Sequence, residues 1–207
     1  MKNIIVVDNF YQDPLKIRNY ALNGVEYLPK NKLSPNFPGT ESVKSFTSLA
    51  LIEKIESSLG QKINVDPTKY SFGVFTKTYL ADSRNNRVHV DTSEWTGIVY
   101  LNLPEQCQAG TSFYEHKLTG LNSIPYSPSK LSELGYNSQK EFVDQFLRPQ
   151  SQDQTAWKQS VHVGMKFNRL ILFKAGELFH SAGSYFGHDD QSCRLTQLFF
   201  FSTASSL

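Results

Sequence analysis

Between Tyr70 and His116, and again between Val161 and Thr203, the side chains alternate with a period of two. Successive residues of a strand leave on opposite faces, so this alternation commits most of the chain to β-structure. The segments SFGVFTKTYLAD, RVHVD, WTGIVYLNL, GTSFYEH, VHVGMKF, NRLILF, ELFHSA and CRLTQLFFFST are read as strands. Turn-like clusters such as DSRNN and PEQCQAG separate them. Ahead of them IIVVDNF reads as a further strand. Asp13-Pro14 then opens a helix through LKIRNYALNG that ends at Gly24, because aspartate caps free amides and proline suits the first turn. A second helix, SFTSLALIEKIESSLG, shows helical spacing and a terminal glycine. Residues 25–45, with Pro29, Pro35, Pro38 and Gly39, read as an ordered surface loop. Residues 120–160 are polar, hold the helix-like KEFVDQFL and read as an insertion. The expected class is mainly β (α+β), one domain over residues 1–207, of sandwich, jelly-roll or barrel type.

Bulk properties narrow the function. A net charge of +2, with no dense Lys/Arg block, argues against nucleic acid or an anionic membrane as partner. Cys107 and Cys193 are too few for a disulfide framework or a thiolate zinc site, and read as reduced thiols. The short apolar run of MKNIIVVDNF stops at Asp8 and is followed by no cleavage site, and no apolar run approaches the ~18 residues of a spanning helix. A cytoplasmic protein is the expectation.

RVHVD carries the chemistry. His89 and Asp91, two apart on a strand, share a face and can reach one object together. A mononuclear non-haem iron site takes two imidazoles and one carboxylate and leaves positions open for substrate and dioxygen. His180 in FHSAG is the candidate third ligand. Arg194 follows fourteen positions later and could hold a carboxylate bidentately. Thr196, two further on, shares its face. The chain spells His-x-Asp again at His188 and Asp190, but in a turn-like segment with no later histidine. His116 and His162 read as strand-end histidines, Asn168-Arg169 as a turn with a surface charge, and Trp95, Phe113 and Tyr114 as core or pocket wall.

The order HVD, FHSAG, RLT resembles the signature of the Fe(II)/2-oxoglutarate-dependent dioxygenases, and several stretches resemble their prolyl-4-hydroxylase-like branch. IIVVDNF with its helix is similar to the branch's N-terminal strand and helix. IVYLN followed by AGTSFYEH resembles its strand pair, with AGT for the usual glycine-glycine-threonine, and NRLILFKAGELFHSAG resembles the approach to the distal histidine. Tyr79, ten residues before His89, matches a tyrosine that contacts 2-oxoglutarate in that branch. The resemblance covers most of residues 1–115 and 161–203, and not the insertion or much of the proline-rich loop.

The resemblance implies a double-stranded β-helix (jelly roll, cupin-like) with N-terminal helices packed on one sheet. It implies Fe(II) on His89, Asp91 and His180, and 2-oxoglutarate as cosubstrate, held by Arg194 with Tyr79 or Thr196. Dioxygen is the oxidant, and ascorbate an optional accessory. Family halogenases carry a small residue in place of the carboxylate, so Asp91 implies hydroxylation of a C–H bond. The substrate is open among a peptide residue, an amino acid and a small metabolite. Two other readings stand beside this one: a catalytically silent jelly-roll binding module, and a cupin-like metalloenzyme without 2-oxoglutarate, in which Arg194 would point away from the metal.

Overall fold

In the computed structural model, residues 3–29 and 38–204 are described. The expected loop over 25–45 is therefore seen only in part, and Pro35 lies outside the described residues. The strands are β1 (Ile4–Val7), β2 (Thr40–Glu41), β3 (Ile63–Asn64), β4 (Phe72–Thr78), β5 (Trp95–Tyr100), β6 (Gly110–His116), β7 (Trp157–Gly164), β8 (Leu170–Phe173), β9 (His180–Ser181) and β10 (Arg194–Thr203). Seven build one sheet in the order β1-β8-β5-β10-β4-β2, with β3 paired to β10. The other three build a second sheet, β7-β6-β9. The pairings are antiparallel.

Helix α1 (Pro14–Asn23) starts where Asp13 accepts from the Lys16 amide, and α2 (Leu49–Leu59) where Ser48 accepts from Leu51. Gly60 ends α2 at φ 78°, a conformation glycine adopts without the Cβ clash. The helical stretch foreseen near KEFVDQFL lies between β6 and β7. There α3 (Pro128–Glu133) is followed by α4 (Gln139–Phe142), a π turn (Val143–Leu147) and α5 (Arg148–Gln150). Among the described residues no helix is long and apolar enough to cross a membrane.

The larger sheet sorts its side chains by parity. Trp95, Val99, Leu170, Leu172, Leu195, Phe199 and Phe201 face α1 and α2, joining Ala21 and Ile55 in one hydrophobic core. Their sequence neighbours Ile98, Tyr100, Ile171 and Phe173 face the second sheet, with Phe113, Val163 and Met165. Both faces of β4 are covered, and all seven of its residues are buried. β7, at the edge of the small sheet, exposes Lys158 to His162. A third cluster, with Val88, Leu131, Phe142, Leu147, Trp157 and Phe179, fastens the helical stretch to the small sheet.

Two expectations need correction. RVHVD is no regular strand: residues 86–94 run between β4 and β5 with a single isolated bridge, His89 to His180. ELFHSA contributes only the two residues of β9. The alternation in RVHVD is nonetheless real, because extended backbone alternates its side chains whether or not a ladder forms.

Candidate metal centre

Val88 and Val90 explain how the 87–91 segment is aimed. Both pack into the third cluster under the helical stretch, and the Val88 amide donates to Ser151 O at 2.9 Å. Arg87, His89 and Asp91, of opposite parity, therefore face a cavity of about 330 Å³ between the sheets. His89 and His180 exchange both backbone hydrogen bonds at 2.9 Å, and the Asp91 amide donates to Ala175 O at 2.8 Å. Three short main-chain ties thus hold the segment against β9 and the loop after β8.

His89, Asp91 and His180 each offer one ligand atom, all within 4.8 Å of one another. His89 Nε2 and His180 Nε2 lie 3.5 and 3.7 Å from the same oxygen, Asp91 Oδ1. Each ring is oriented from behind. His89 Nδ1–H donates to Arg87 O at 2.9 Å, and His180 Nδ1–H to Leu178 O at 2.8 Å, which leaves both Nε2 lone pairs facing the cavity. Thr96 Oγ1 donates to Asp91 Oδ2 at 2.6 Å, so the carboxylate is fixed with Oδ1 free to ligate. The His180 ring packs edge-on against Phe173, with centroids 4.8 Å apart.

The electrostatics suit a cation. Burial pushes the Asp91 carboxyl up, but the charges of His180 and His89 and the hydrogen bonds from His89 and Thr96 outweigh it and hold it at about 2. Burial, reinforced by the charge of His89, drives His180 down to about 4. Burial opposes protonation of His89 as well, yet its hydrogen bond and charge interaction with Asp91 raise it above the ordinary histidine value. The carboxylate is thus held ionised and His180 neutral, the forms in which they ligate a metal. Two nitrogen donors and one oxygen donor, with outer hydrogen bonds satisfied, fit a divalent iron-type ion.

Arg194 opens β10 and lines the same cavity. It is 4% exposed, and among the described residues its Nε and Nη2 have no hydrogen-bond partner. Two unmet donors on a buried guanidinium are costly, and a carboxylate brought to Nε and Nη2 would satisfy both. Its Cζ lies 5.6 Å from the ring centroid of Tyr100, whose hydroxyl pairs with Thr111 at 2.8 Å. Thr196 is fully buried on the same side of β10, and its hydroxyl is bonded to Thr76 Oγ1 at 2.6 Å; of the two, Thr76 lines the cavity.

Tyr79 is not brought to this cavity. Its hydroxyl donates to Asp190 at 2.7 Å, on the side of β4 where Lys77 also meets Asp190 at 2.6 Å. Parity is the reason: Thr76 and Thr78 face the cavity, so Lys77 and Tyr79 face away. The tyrosine that does line the cavity, and that sequence reasoning missed, is Tyr185. Burial raises its hydroxyl, while the charges of Arg194 and Arg87 pull it back. It lies in a segment without regular structure, where no periodicity could have pointed to it. Arg87 was missed as well, although its parity with His89 was readable. His116 is the last residue of β6, as its reading as a strand-end histidine has it, and is buried with its ring nitrogens hydrogen-bonded to Thr119 and Gln150. Asn168 adopts φ 62° and holds both the amide and the carbonyl of Tyr11, while Arg169 pairs with Asp8.

Residues 1–201 match the family described as "Family of unknown function (DUF6445)". No curated protein sequence matches the chain. Among solved structures, HygX from Streptomyces hygroscopicus with nickel, 2-oxoglutarate and hygromycin B bound superposes with a TM-score of 0.52 at 11% identity, over 98% of this chain and 84% of that one. HygX with nickel and 2-oxoglutarate bound gives 0.51 at 11% identity, with the same coverage. At such identity the likeness shows a shared fold. A prolyl-4-hydroxylase from Pseudomonas putida aligns over 96% of this chain and 91% of that one at 12% identity, but its TM-score of 0.39 carries no argument for that branch.

Proposed function

The chain belongs to DUF6445, a family of unknown function, and we propose that it is an Fe(II)- and 2-oxoglutarate-dependent dioxygenase of hydroxylase type. One observation carries the reading. A His-Asp-His cluster with converging ligand atoms and a buried arginine whose Nε and Nη2 have no partner among the described residues line one cavity. The first calls for a divalent cation and the second for a carboxylate, and 2-oxoglutarate with iron answers both calls. The fold shared with HygX, whose structures hold nickel and 2-oxoglutarate, supports it. We read the two sheets as the halves of a double-stranded β-helix. The readings without 2-oxoglutarate give Arg194 no task, yet its guanidinium faces the cavity.

When bound, iron and 2-oxoglutarate supply the oxidising chemistry, with succinate and carbon dioxide as coproducts and dioxygen as oxidant. The chain supplies orientation. His89 and His180 present Nε2, Asp91 presents Oδ1, and the Arg87 and Leu178 carbonyls and the Thr96 hydroxyl keep those atoms aimed. Arg194 holds the far carboxylate of the cosubstrate, with Thr76, Thr78 and Thr111 as further polar groups on the cavity wall and Tyr100 beneath the guanidinium. Phe173, Ile98 and Leu198 keep the surroundings apolar, which strengthens these charge interactions. A carboxylate at Asp91 supports hydroxylation.

The test is succinate formation from 2-oxoglutarate by the purified protein with ferrous iron and ascorbate. Turnover that falls to background in Asp91→Ala is the expected result. Wild-type turnover no higher than that of the variant would sink the reading.

A further inference from the structure

Arg87 is a second cation on the cavity wall, and no side chain among the described residues pairs with it. Its side chain has the parity of His89 and Asp91, is half-buried, and lines both the cavity and the groove beside Val143, Leu147 and Arg148. Among the described residues its guanidinium makes no hydrogen bond or ion pair. Asp91 is the one carboxylate among the described residues that line the cavity. It is already held by Thr96 and faced by two imidazoles. A guanidinium kept beside other positive groups without an acid is an open binding valence.

Charge balance says what fills it. With a divalent ion on Asp91 and the doubly negative cosubstrate on Arg194, the formal charges of the inner site cancel. Arg87 is then left as a single uncompensated positive charge. A carboxylate neutralises it with matching bidentate geometry, whereas a phosphate monoester brings nearly two negative charges to one guanidinium. Size points the same way. About 330 Å³ is near the lower end of the ~300–1,000 Å³ of ligand sites and must admit the cosubstrate too. The cavity lining also includes the apolar side chains of Ile98, Leu198 and Phe200.

We propose that Arg87 anchors a carboxylate of the primary substrate, so that the oxidised molecule is a small carboxylic acid with an apolar body, such as a free amino acid, rather than a residue inside a peptide. This rests on the dioxygenase reading and adds its substrate class. Arg87 acts as a specificity-determining residue, and its backbone carbonyl, which orients His89, is kept in any side-chain variant.

The experiment is anaerobic calorimetry on wild type and Arg87→Gln, each loaded with metal alone and with metal plus 2-oxoglutarate. The probes are the free amino acids and a set of aliphatic and aromatic carboxylic acids, each beside its primary amide. Peptides capped at both ends and phosphate monoesters of matching size complete the panel. The expected result is at least one free acid that binds wild type about 10- to 100-fold more tightly than its amide, the effect of one charge-assisted hydrogen-bonded contact. In Arg87→Gln that preference disappears, while affinity for 2-oxoglutarate stays within about twofold of wild type. Arg87→Lys, a charge without the fork, recovers part of it. The inference is overturned if no free acid binds, if acid and amide bind wild type alike, if a capped peptide or phosphate ester binds more tightly than any acid, or if Arg87→Gln keeps the preference. The wild-type comparison of acid with amide needs no variant to fold. Absence of 2-oxoglutarate binding to wild type overturns the dioxygenase reading instead, and the metal-alone arm still reads the role of Arg87.

Discussion

The chain spells His-x-Asp twice, and β4 lies between the uses made of the two copies. Thr76 and Thr78 of β4 face the cavity of His89 and Asp91, while Lys77 turns away and pairs with Asp190 of the second copy. At the first copy the carboxylate is steadied by one threonine and faced by two imidazole nitrogens, so a lone pair remains for a cation. At the second, Asp190 accepts from Lys77 at 2.6 Å and from Tyr79 at 2.7 Å, and His188 is exposed in a turn. The same three-residue spelling gives a ligand pair in one place and a surface clamp in the other. What differs is the partner set, which the fold supplies and the motif does not contain.

The sharpest way to break this contrast is to remove both aspartates in turn. Asp91→Ala is expected to lower affinity for a divalent ion by more than about 100-fold, beyond what loss of an outer hydrogen bond to a ligand causes. Asp190→Ala is expected to keep metal affinity and instead to lower stability by about 1 kcal/mol. The reason is Lys77, whose side chain is only 4% exposed and would lose its acceptor. Calorimetric metal titration and chemical denaturation read the two effects. Equal metal affinities in the two variants would erase the distinction.

Next in size is the pair Arg194→Gln and Tyr79→Phe. Removing the Arg194 guanidinium, with its two unmet donors, should weaken 2-oxoglutarate binding about 10- to 100-fold. Removing the Tyr79 hydroxyl should leave that binding unchanged and loosen only the Asp190 clamp, by about 1 kcal/mol. A loss of 2-oxoglutarate affinity in Tyr79→Phe would return that residue to the site.

These two tests also mark what was legible in the sequence. Period-two alternation located most strands, and the Asp13-Pro14 and Gly60 signals bounded the helices, because those are local preferences of the backbone. The triad was legible because spacing and order survive folding: His89 and Asp91 share a parity, and His180 returns beside them through the bridge to His89. Tyr79 was misplaced because its distance from His89 was counted while its parity with Lys77 was not. Tyr185 stayed hidden because it sits in irregular backbone, positioned by tertiary contacts alone. The strand assignment for RVHVD failed for a related reason: its hydrogen bonds go to Ser151, His180 and Ala175, on three different segments, so no ladder forms.

A smaller effect tests the steadying of the first copy. Thr96→Val keeps the side-chain shape and removes the hydroxyl that fixes Asp91 Oδ2. Metal affinity should fall about tenfold, as expected for loss of an outer hydrogen bond to a ligand. An unchanged affinity would mean that Asp91 is aimed by its backbone ties alone.

The smallest effect separates the copies by their response to acid. Lys77, through its hydrogen bond and charge, and the Tyr79 hydroxyl hold the Asp190 carboxyl below its ordinary value against a partial burial that raises it. A carboxyl depressed by folding stabilises the native state above its unfolded value, near ~4, and that contribution fades as pH falls through the lower folded value. The stability gap between wild type and Asp190→Asn should therefore be full at neutral pH and close progressively in acid. Because the Asp190 side chain is 58% exposed, solvent screening keeps the gap to about 1 kcal/mol or less, and salt should narrow it. At the first copy acid acts on cation binding instead: His89 is raised above the ordinary histidine value, so its proton competes with the metal and affinity falls as pH drops. A gap that widens in acid would mean that Asp190 does not act through the Lys77 ion pair, and the account of the second copy as a clamp would fail.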